Sequence, residues 1–188
     1  MAGGVLFYRS ELKDVEFLMI NLNGRYEDFG GRTDPVDKSI KETIVREVIE
    51  ESNGIFTKEF VYPKINKHGL YIKSGKYLVY FIKLKKRLDV RRFGTLEMTE
   101  QIERTVEWIN GNKLVVGEVI IHPRLRNEQV LNEIKNIINL NKGIKINPIS
   151  TSSETFVRPP ISSKQILFSL SLTSISSPTS DEDTNVID

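Results

Sequence analysis

The residues best suited to do chemistry in this chain are three glutamates, Glu47, Glu50 and Glu51. They lie in the run Gly30-Gly-Arg-Thr-Asp-Pro-Val-Asp-Lys-Ser-Ile-Lys-Glu-Thr-Ile-Val-Arg-Glu-Val-Ile-Glu-Glu-Ser-Asn-Gly54. From Ser39 to Glu51 apolar residues recur with helical period, and Ser39 with Glu42 forms a capping box that starts the helix. Asn53-Gly54 supplies the stop. At about 100° per residue, with Glu47 at zero, Glu50 falls at about −60° and Glu51 at about +40°. Ile44, Val45, Val48 and Ile49 fall between roughly +60° and +200°, so the three carboxylates share one narrow face. Like charges at such spacing cost roughly 0.2–0.5 kcal/mol per pair, and acids late in a helix oppose its macrodipole. Helix stability therefore does not explain them. A divalent cation removes both objections, and hard oxygen ligands at this density suit Mg²⁺ or Mn²⁺. Taken alone, Glu-x-x-Glu-Glu is most simply a solvated face balanced by Arg46 and by Lys41 or Lys38. The Gly30-Gly31 loop shifts that balance, because glycines let backbone approach a phosphate or fold tightly beside a helix.

The elements that must hold this helix read mostly as strands. Val5 to Tyr8 and Val15 to Leu22 are rich in apolar, β-branched and aromatic residues and are joined by a polar turn, which predicts an opening hairpin. Leu70 to Ile72 and Tyr77 to Leu84 make a second hairpin around Ser74-Gly75, and Arg104 to Ile109 another strand. In the Tyr77 strand, Tyr77, Val79 and Phe81 share one face and Leu78, Tyr80 and Ile82 the other. A last helix runs from about Asn127 to Leu140, with Val130, Leu131, Ile134, Ile137 and Ile138 on one side. One helix in the middle and one at the end, packed on a mixed sheet, place the chain in the α/β or α+β class.

Composition bounds the rest. The 188 residues are 39% apolar and 28% charged, long enough for one domain with a real core. A net charge of +2 gives no whole-molecule argument for nucleic acid or membrane. With no cysteine and only His68 and His122, disulfides and a Cys/His zinc site are excluded, so a metal must sit mainly on oxygen. The start has no basic segment before an apolar run, and nowhere do about 18 consecutive apolar residues occur, which reads as a soluble, cytoplasmic protein without a membrane partner. Past residue 143 the composition changes. Ser and Thr make up 15 of the 31 residues from Ser150 to Ser180, and five acids face two bases from Ser150 onward. Such a segment buries too little surface to offset its ordering entropy, so residues 143–188 read as a flexible tail. Within it Phe168-Ser-Leu-Ser-Leu172 alternates as a docking strand would.

At the carboxylate helix the sequence resembles the Nudix hydrolases. Their box is a Gly, five residues, Glu, seven residues, then Arg-Glu-apolar-x-Glu-Glu-x-Gly. Arg46-Glu47-Val48-Ile49-Glu50-Glu51 matches its second half, and Gly31 with Asp37 matches the first, with Asp for Glu. Eight residues rather than seven separate Asp37 from Arg46, and Asn53 stands where the box has glycine. Both departures lie at the helix ends and leave the phase of the glutamates untouched. The start is similar to the variant of coenzyme A pyrophosphatases, but the basic signature before the glycines is missing, so that substrate is not carried over. The resemblance implies a Nudix-like α/β/α sandwich over residues 1–142. It implies that Glu47, Glu50 and Glu51 are the metal ligands, that Arg46 orients a box glutamate, and that Gly31 shapes the loop beside the metals. It also implies a downstream carboxylate, for which Glu103 is the first choice and Glu100 the second.

On this basis the chain is expected to be a Mg²⁺- or Mn²⁺-dependent hydrolase. It would cleave a pyrophosphate bond in a nucleoside diphosphate linked to another group, a nucleotide-type small molecule. A non-catalytic binding module and an RNA-decapping enzyme are the competing readings. RNA would use the run Lys83 to Arg92, which holds six bases in ten residues. Arg32, Lys85 and Tyr77 are candidate substrate contacts. Trp108, His68 and His122 are expected to play structural roles.

Overall fold

The computed structural model describes residues 1–12, 14–67 and 69–143. The expectations for His68 and for residues 144–188 lie outside the described residues. A mixed sheet is built from β1 (Ala2–Glu11), β2 (Asp14–Leu22), β3 (Arg25–Glu27), β4 (Phe29–Arg32), β5 (Leu70–Ser74), β6 (Tyr77–Lys83), β7 (Thr105–Asn110) and β8 (Ile120–Ile121). The order is β5-β6-β1-β2-β3-β8, with β4 also on β1 and β7 also on β2. β1 runs antiparallel to β2 and β4 but parallel to β6, with Val5 opposite Tyr80. That parallel pairing needs a long crossover, which carries the acidic helix α1 (Ile40–Glu51) and α2 (Lys58–Lys67). After β7 come α3 (Gly111–Val116) and, at the end, α4 (Glu128–Asn141).

The helices divide between the two faces. Val5, Phe7, Leu18, Ile20, Tyr80 and Ile82 pack against Ile44, Val45 and Val48 of α1 and Val61 and Ile65 of α2. Leu6, Phe17, Met19, Tyr77, Val79 and Phe81 pack against Leu114 of α3 and Val130, Ile134, Ile137 and Ile138 of α4. The result is an α/β/α sandwich, the expected class, with β6 alternating as its sequence predicts. Among the described residues four α-helices rather than two cover the sheet. α2 escapes sequence reading because Pro63 sits inside it and its apolar residues are few. What holds it is tertiary, since Val61 and Ile65 are almost fully buried. Among the described residues, no helix is long and apolar enough to cross a membrane.

α1 starts at the expected cap. Ser39 Oγ accepts the Glu42 N–H at 3.3 Å, while the Glu42 carboxylate accepts the Lys38 N–H at 2.8 Å, one residue earlier than a capping box requires. Asn53 (φ 53°) and Gly54 (φ 73°) take left-handed backbone after the Ser52 cap. Phe56, just beyond, stacks on Phe7 of β1 at 4.0 Å between ring centres and pins the helix end to the sheet.

Candidate active site

Gly30 and Gly31 do not form a loop. They lie in β4, opposite Gly4 and Gly3 of β1, and neither has positive φ. Their lack of a side chain serves close approach. A Cβ on Gly30 would stand 2.2 Å from the Gly4 Cα, and one on Gly31 would stand 2.5 Å from the Glu47 carboxyl. The acidic face of α1 is thus laid directly against a glycine strand, and any side chain there would fill the space the carboxylates occupy.

Arg46 gathers the acids around it. Its Nη2 donates to Glu47 Oε1 at 2.9 Å and its Nη1 to Glu50 Oε2 at 2.9 Å. Nε and Nη2 donate to the two oxygens of Asp37, at 3.2 and 3.1 Å, and Nη2 also reaches the Arg32 carbonyl at 3.1 Å. The bonds to Arg46 hold the Asp37 carboxyl at a pKa of about 2, helped by the Asp34 N–H and the Thr43 hydroxyl. Those to Asp37 in turn raise Arg46 above its ordinary value. Lys41 takes no part in balancing these acids, since its Nζ donates to Asn66 of α2 at 2.6 Å.

Glu51 faces the other way from Glu50. Its carboxylate accepts the backbone N–H of Gly30. Burial pushes its pKa well above the ordinary range, and the negative charges of Asp28 and Glu47 add to the shift against the pull of Arg124. Burial likewise raises Glu47, opposed by Arg46. The donor set consists of hard carboxylate oxygens in a locally over-negative setting, beside a strand that leaves room for nothing larger than hydrogen. That chemistry fits a divalent cation. Among the described residues, however, no three acidic or histidine side chains converge as a formed metal site, since Glu47 and Glu50 are turned onto Arg46.

The downstream acids fall differently from the sequence expectation. Glu103 and Glu100 are exposed, and the backbone of Glu103 pairs with Leu96. The buried acid of that segment is Glu97, 7% exposed, whose carboxylate accepts the N–H groups of Thr99 and Glu100 in a tight turn. Beside it Arg104, 4% exposed, donates to the Glu51 carbonyl, and its Nε and Nη1 have no hydrogen-bond partner among the described residues. Asn53, at the departure from the box pattern, donates to the carbonyls of Phe93 and Leu96 at 2.7 and 2.8 Å. It therefore tethers this segment to the end of α1.

Of the candidate substrate contacts, Arg32 and Lys85 are exposed at the ends of β4 and β6. Tyr77 is not available for stacking. It is 7% exposed, its hydroxyl donates to Asp28 at 2.9 Å, and the Arg124 guanidinium covers its ring at 4.9 Å. Strand periodicity placed it on a core face, and the packing of α4 and the 122–125 turn closed that face over it. Trp108 is half-buried and packs against the core, with Nε1 donating to the Leu88 carbonyl at 3.0 Å. His122 caps a turn, accepting the Arg124 N–H at 3.2 Å. Asp28, Arg104 and Arg124 were missed in the sequence because a lone charged residue in a strand or loop carries no local signal of burial.

An α/β/α sandwich that presents a carboxylate-bearing helix beside a glycine strand is the class defined by these features. No family model matches the chain, and no curated protein does. The solved structures it is similar to include Nudix proteins, all at low identity. The binary complex of a Caenorhabditis elegans Ap4A hydrolase is 17% identical, covering 77% of this chain and 100% of that one, with a TM-score of 0.48. The Nudix domain of Shewanella oneidensis NrtR, complexed with ADP ribose, is 12% identical, covering 73% and 86%, with a TM-score of 0.48. The MutT protein of Bacillus halodurans is 16% identical, covering 73% and 80%, with a TM-score of 0.40.

Proposed function

We propose that the chain is a divalent-metal-dependent Nudix hydrolase that cleaves a pyrophosphate bond in a nucleoside diphosphate linked to another group. The observation that carries this reading is the placement of Glu47 and Glu51 against Gly31 and Gly30, with Glu50 beside them under the control of Arg46. Two acids laid against the glycines of β4, with a third on the same helix, are difficult to explain by stability, since burial raises the pKa of both Glu47 and Glu51 and the charge of neighbouring acids adds to each shift.

Glu47, Glu50 and Glu51 would hold Mg²⁺ or Mn²⁺, which when bound neutralises phosphate oxygens and lowers the pKa of a coordinated water. The chain's own part is positional. Arg46 restrains Glu47 and Glu50, and Asp37 restrains Arg46. A glutamate of the same face would accept the proton of the attacking water. A cleft of about 300 Å³ adjoins Glu50 and is lined by Val45, Ile49 and Tyr62 together with the charged Asp37, Glu42, Arg46 and Lys58.

RNA as a substrate is the second reading. It is favoured by the exposure of Lys83, Lys85, Lys86, Arg91 and Arg92, all within ten residues of sequence. A screen of nucleotide sugars, dinucleoside polyphosphates, coenzyme A, damaged nucleoside triphosphates and capped RNA, each with Mg²⁺ or Mn²⁺, tests both. Turnover of a nucleotide-type compound that stops on chelation is the expected result. Nucleotide binding without turnover of any compound would make the chain a binding module instead.

A further inference from the structure

A second set of charged groups lies behind β4, on the side away from Arg46. Asp28, between β3 and β4, is fully buried. Arg124 reaches it across 96 residues of sequence, donating from Nε to Asp28 Oδ1 at 2.7 Å. Its Nη2 donates to the Gly30 carbonyl at 3.1 Å and the Asp28 carbonyl at 3.3 Å, and lies 3.3 Å from Glu27 Oε2. The Tyr77 hydroxyl donates to the remaining Asp28 oxygen at 2.9 Å. Gly30, held through its carbonyl by Arg124, gives its own N–H to Glu51. One residue of β4 therefore joins a buried guanidinium to the last carboxylate of α1.

The turn that delivers Arg124, Pro123–Leu125, is itself fixed. His122 caps it with Nδ1 and donates its N–H to the Tyr26 carbonyl at 2.8 Å, and Leu125 is 1% exposed. A guanidinium aimed at this many fixed acceptors serves as a geometric clamp, because its planar fork sets direction as well as charge. Stability alone is a weak reason to keep such a group, since a buried ion pair is often no better than a well-packed apolar pair. Space is also committed. A Cβ on Gly4 would stand 2.4 Å from Asp28 Oδ2 and 2.5 Å from the Tyr77 hydroxyl, so the cluster fills its pocket without slack.

We propose that Arg124 is a positioning residue for the acidic site. By fixing the carbonyl of Gly30 it fixes the N–H that orients Glu51, with Asp28 and Tyr77 holding the guanidinium in place. The inference rests on the reading of α1 as a metal-holding face. Groups that orient a metal ligand typically change metal affinity or activity by about 10–100-fold when altered.

The test compares the parent with Arg124→Lys, which keeps the charge but loses the fork, and Tyr77→Phe, which loses only the hydroxyl. Mn²⁺ binding is titrated by electron paramagnetic resonance without substrate, alongside kcat, KM and the melting temperature. Arg124→Lys is expected to weaken Mn²⁺ binding and lower kcat by about tenfold or more, with KM nearly unchanged and the fold retained. Tyr77→Phe should shift both in the same direction by less. A folded Arg124→Lys protein with the parent's Mn²⁺ affinity and kcat would overturn the inference while leaving the proposed function intact. If Arg124→Lys does not fold, Tyr77→Phe decides in the same way. A parent that binds no Mn²⁺ overturns the inference together with the reading it rests on.

Discussion

Asp37 receives the guanidinium of Arg46 on both of its oxygens, across a spacer of eight residues. The lead-in absorbs that length by folding on itself. The Asp34 N–H donates to Asp37 Oδ2 at 2.8 Å, and Ser39 then caps α1. The longer spacer therefore leaves Arg46 in reach of Asp37, Glu47 and Glu50 at once.

This pair makes acid sensitivity a measurable property. The Asp37 carboxyl is held at about 2, against roughly 3.9 in an unfolded chain. Its folded pKa is depressed, so its contribution is complete above the unfolded value and is lost as pH falls from near 4 through about 2. After allowance for solvent screening that contribution is on the order of 1 kcal/mol. Asp37→Asn should lower the urea midpoint at pH 6 and flatten its dependence between pH 4 and pH 2. Parallel acid limbs for parent and variant would show that the pair adds no stability.

Glu50→Gln and Glu51→Gln are each expected to reduce turnover by roughly a hundredfold or more, because each removes a metal-ligating charge. Thermal stability should be unchanged or improved, since each change also relieves like-charge repulsion. For Glu51→Gln the relief comes from Asp28 and Glu47, both of which push its pKa upward. Parent-like turnover in either variant would remove that residue from the ligand set.

The two glycines of β4 should separate stability from activity. Gly30→Ala drives a Cβ into the backbone of Gly4 and Gly3, at 2.2 and 2.4 Å, and should cost about 3 kcal/mol, or roughly 10 °C in melting temperature. For Gly31→Ala the nearest atoms are those of the Glu47 carboxyl, the end of a side chain that can swing aside. It should keep its melting temperature and lose roughly tenfold to a hundredfold in kcat, because a carboxylate displaced by about 1 Å no longer serves the reaction. Calorimetry and kinetics on the two variants give the comparison, and equal melting temperatures would contradict it.

Replacing Lys85, Lys86 and Arg87 with Gln should leave hydrolysis of a mononucleotide-type substrate within a few fold. Lys85 and Lys86 are exposed, and among the described residues neither bonds to Glu47, Glu50 or Glu51, while Arg87 is occupied with Glu16 at 3.3 Å. Binding of a long single-stranded RNA should weaken and lose about 0.7 of salt slope per phosphate contact removed. RNA affinity that is unchanged across a salt series, or absent in the parent, would leave these bases as a solvated edge.

Much of the sandwich was legible in the sequence, for local reasons. The period of Ser39 to Glu51, its cap and its Asn-Gly stop determine α1, and helical geometry then places Glu47, Glu50 and Glu51 on one side. Alternation in Tyr77 to Ile82 determines which side chains of β6 face which layer, as the two cores show. The final helix follows from its apolar face in the same way.

Tertiary structure decided what depends on distant partners. Helix α2, with Pro63 inside it, exists because the sheet and α1 bury Val61 and Ile65, and the strands β3, β4 and β8 are too short to be read without the neighbours that pair with them. The glycines read as a loop became a strand because Gly3 and Gly4 allow β4 to lie flat on β1. Divergence of the three carboxylates, toward Arg46 on one side and Gly30 on the other, is likewise set by contacts beyond the helix. The clearest case is Arg124 on Asp28, a pair 96 residues apart. Periodicity fixes the direction of a side chain from its own backbone, whereas a buried ion pair is fixed only when two separate segments pack together and exclude the water that would otherwise solvate each charge.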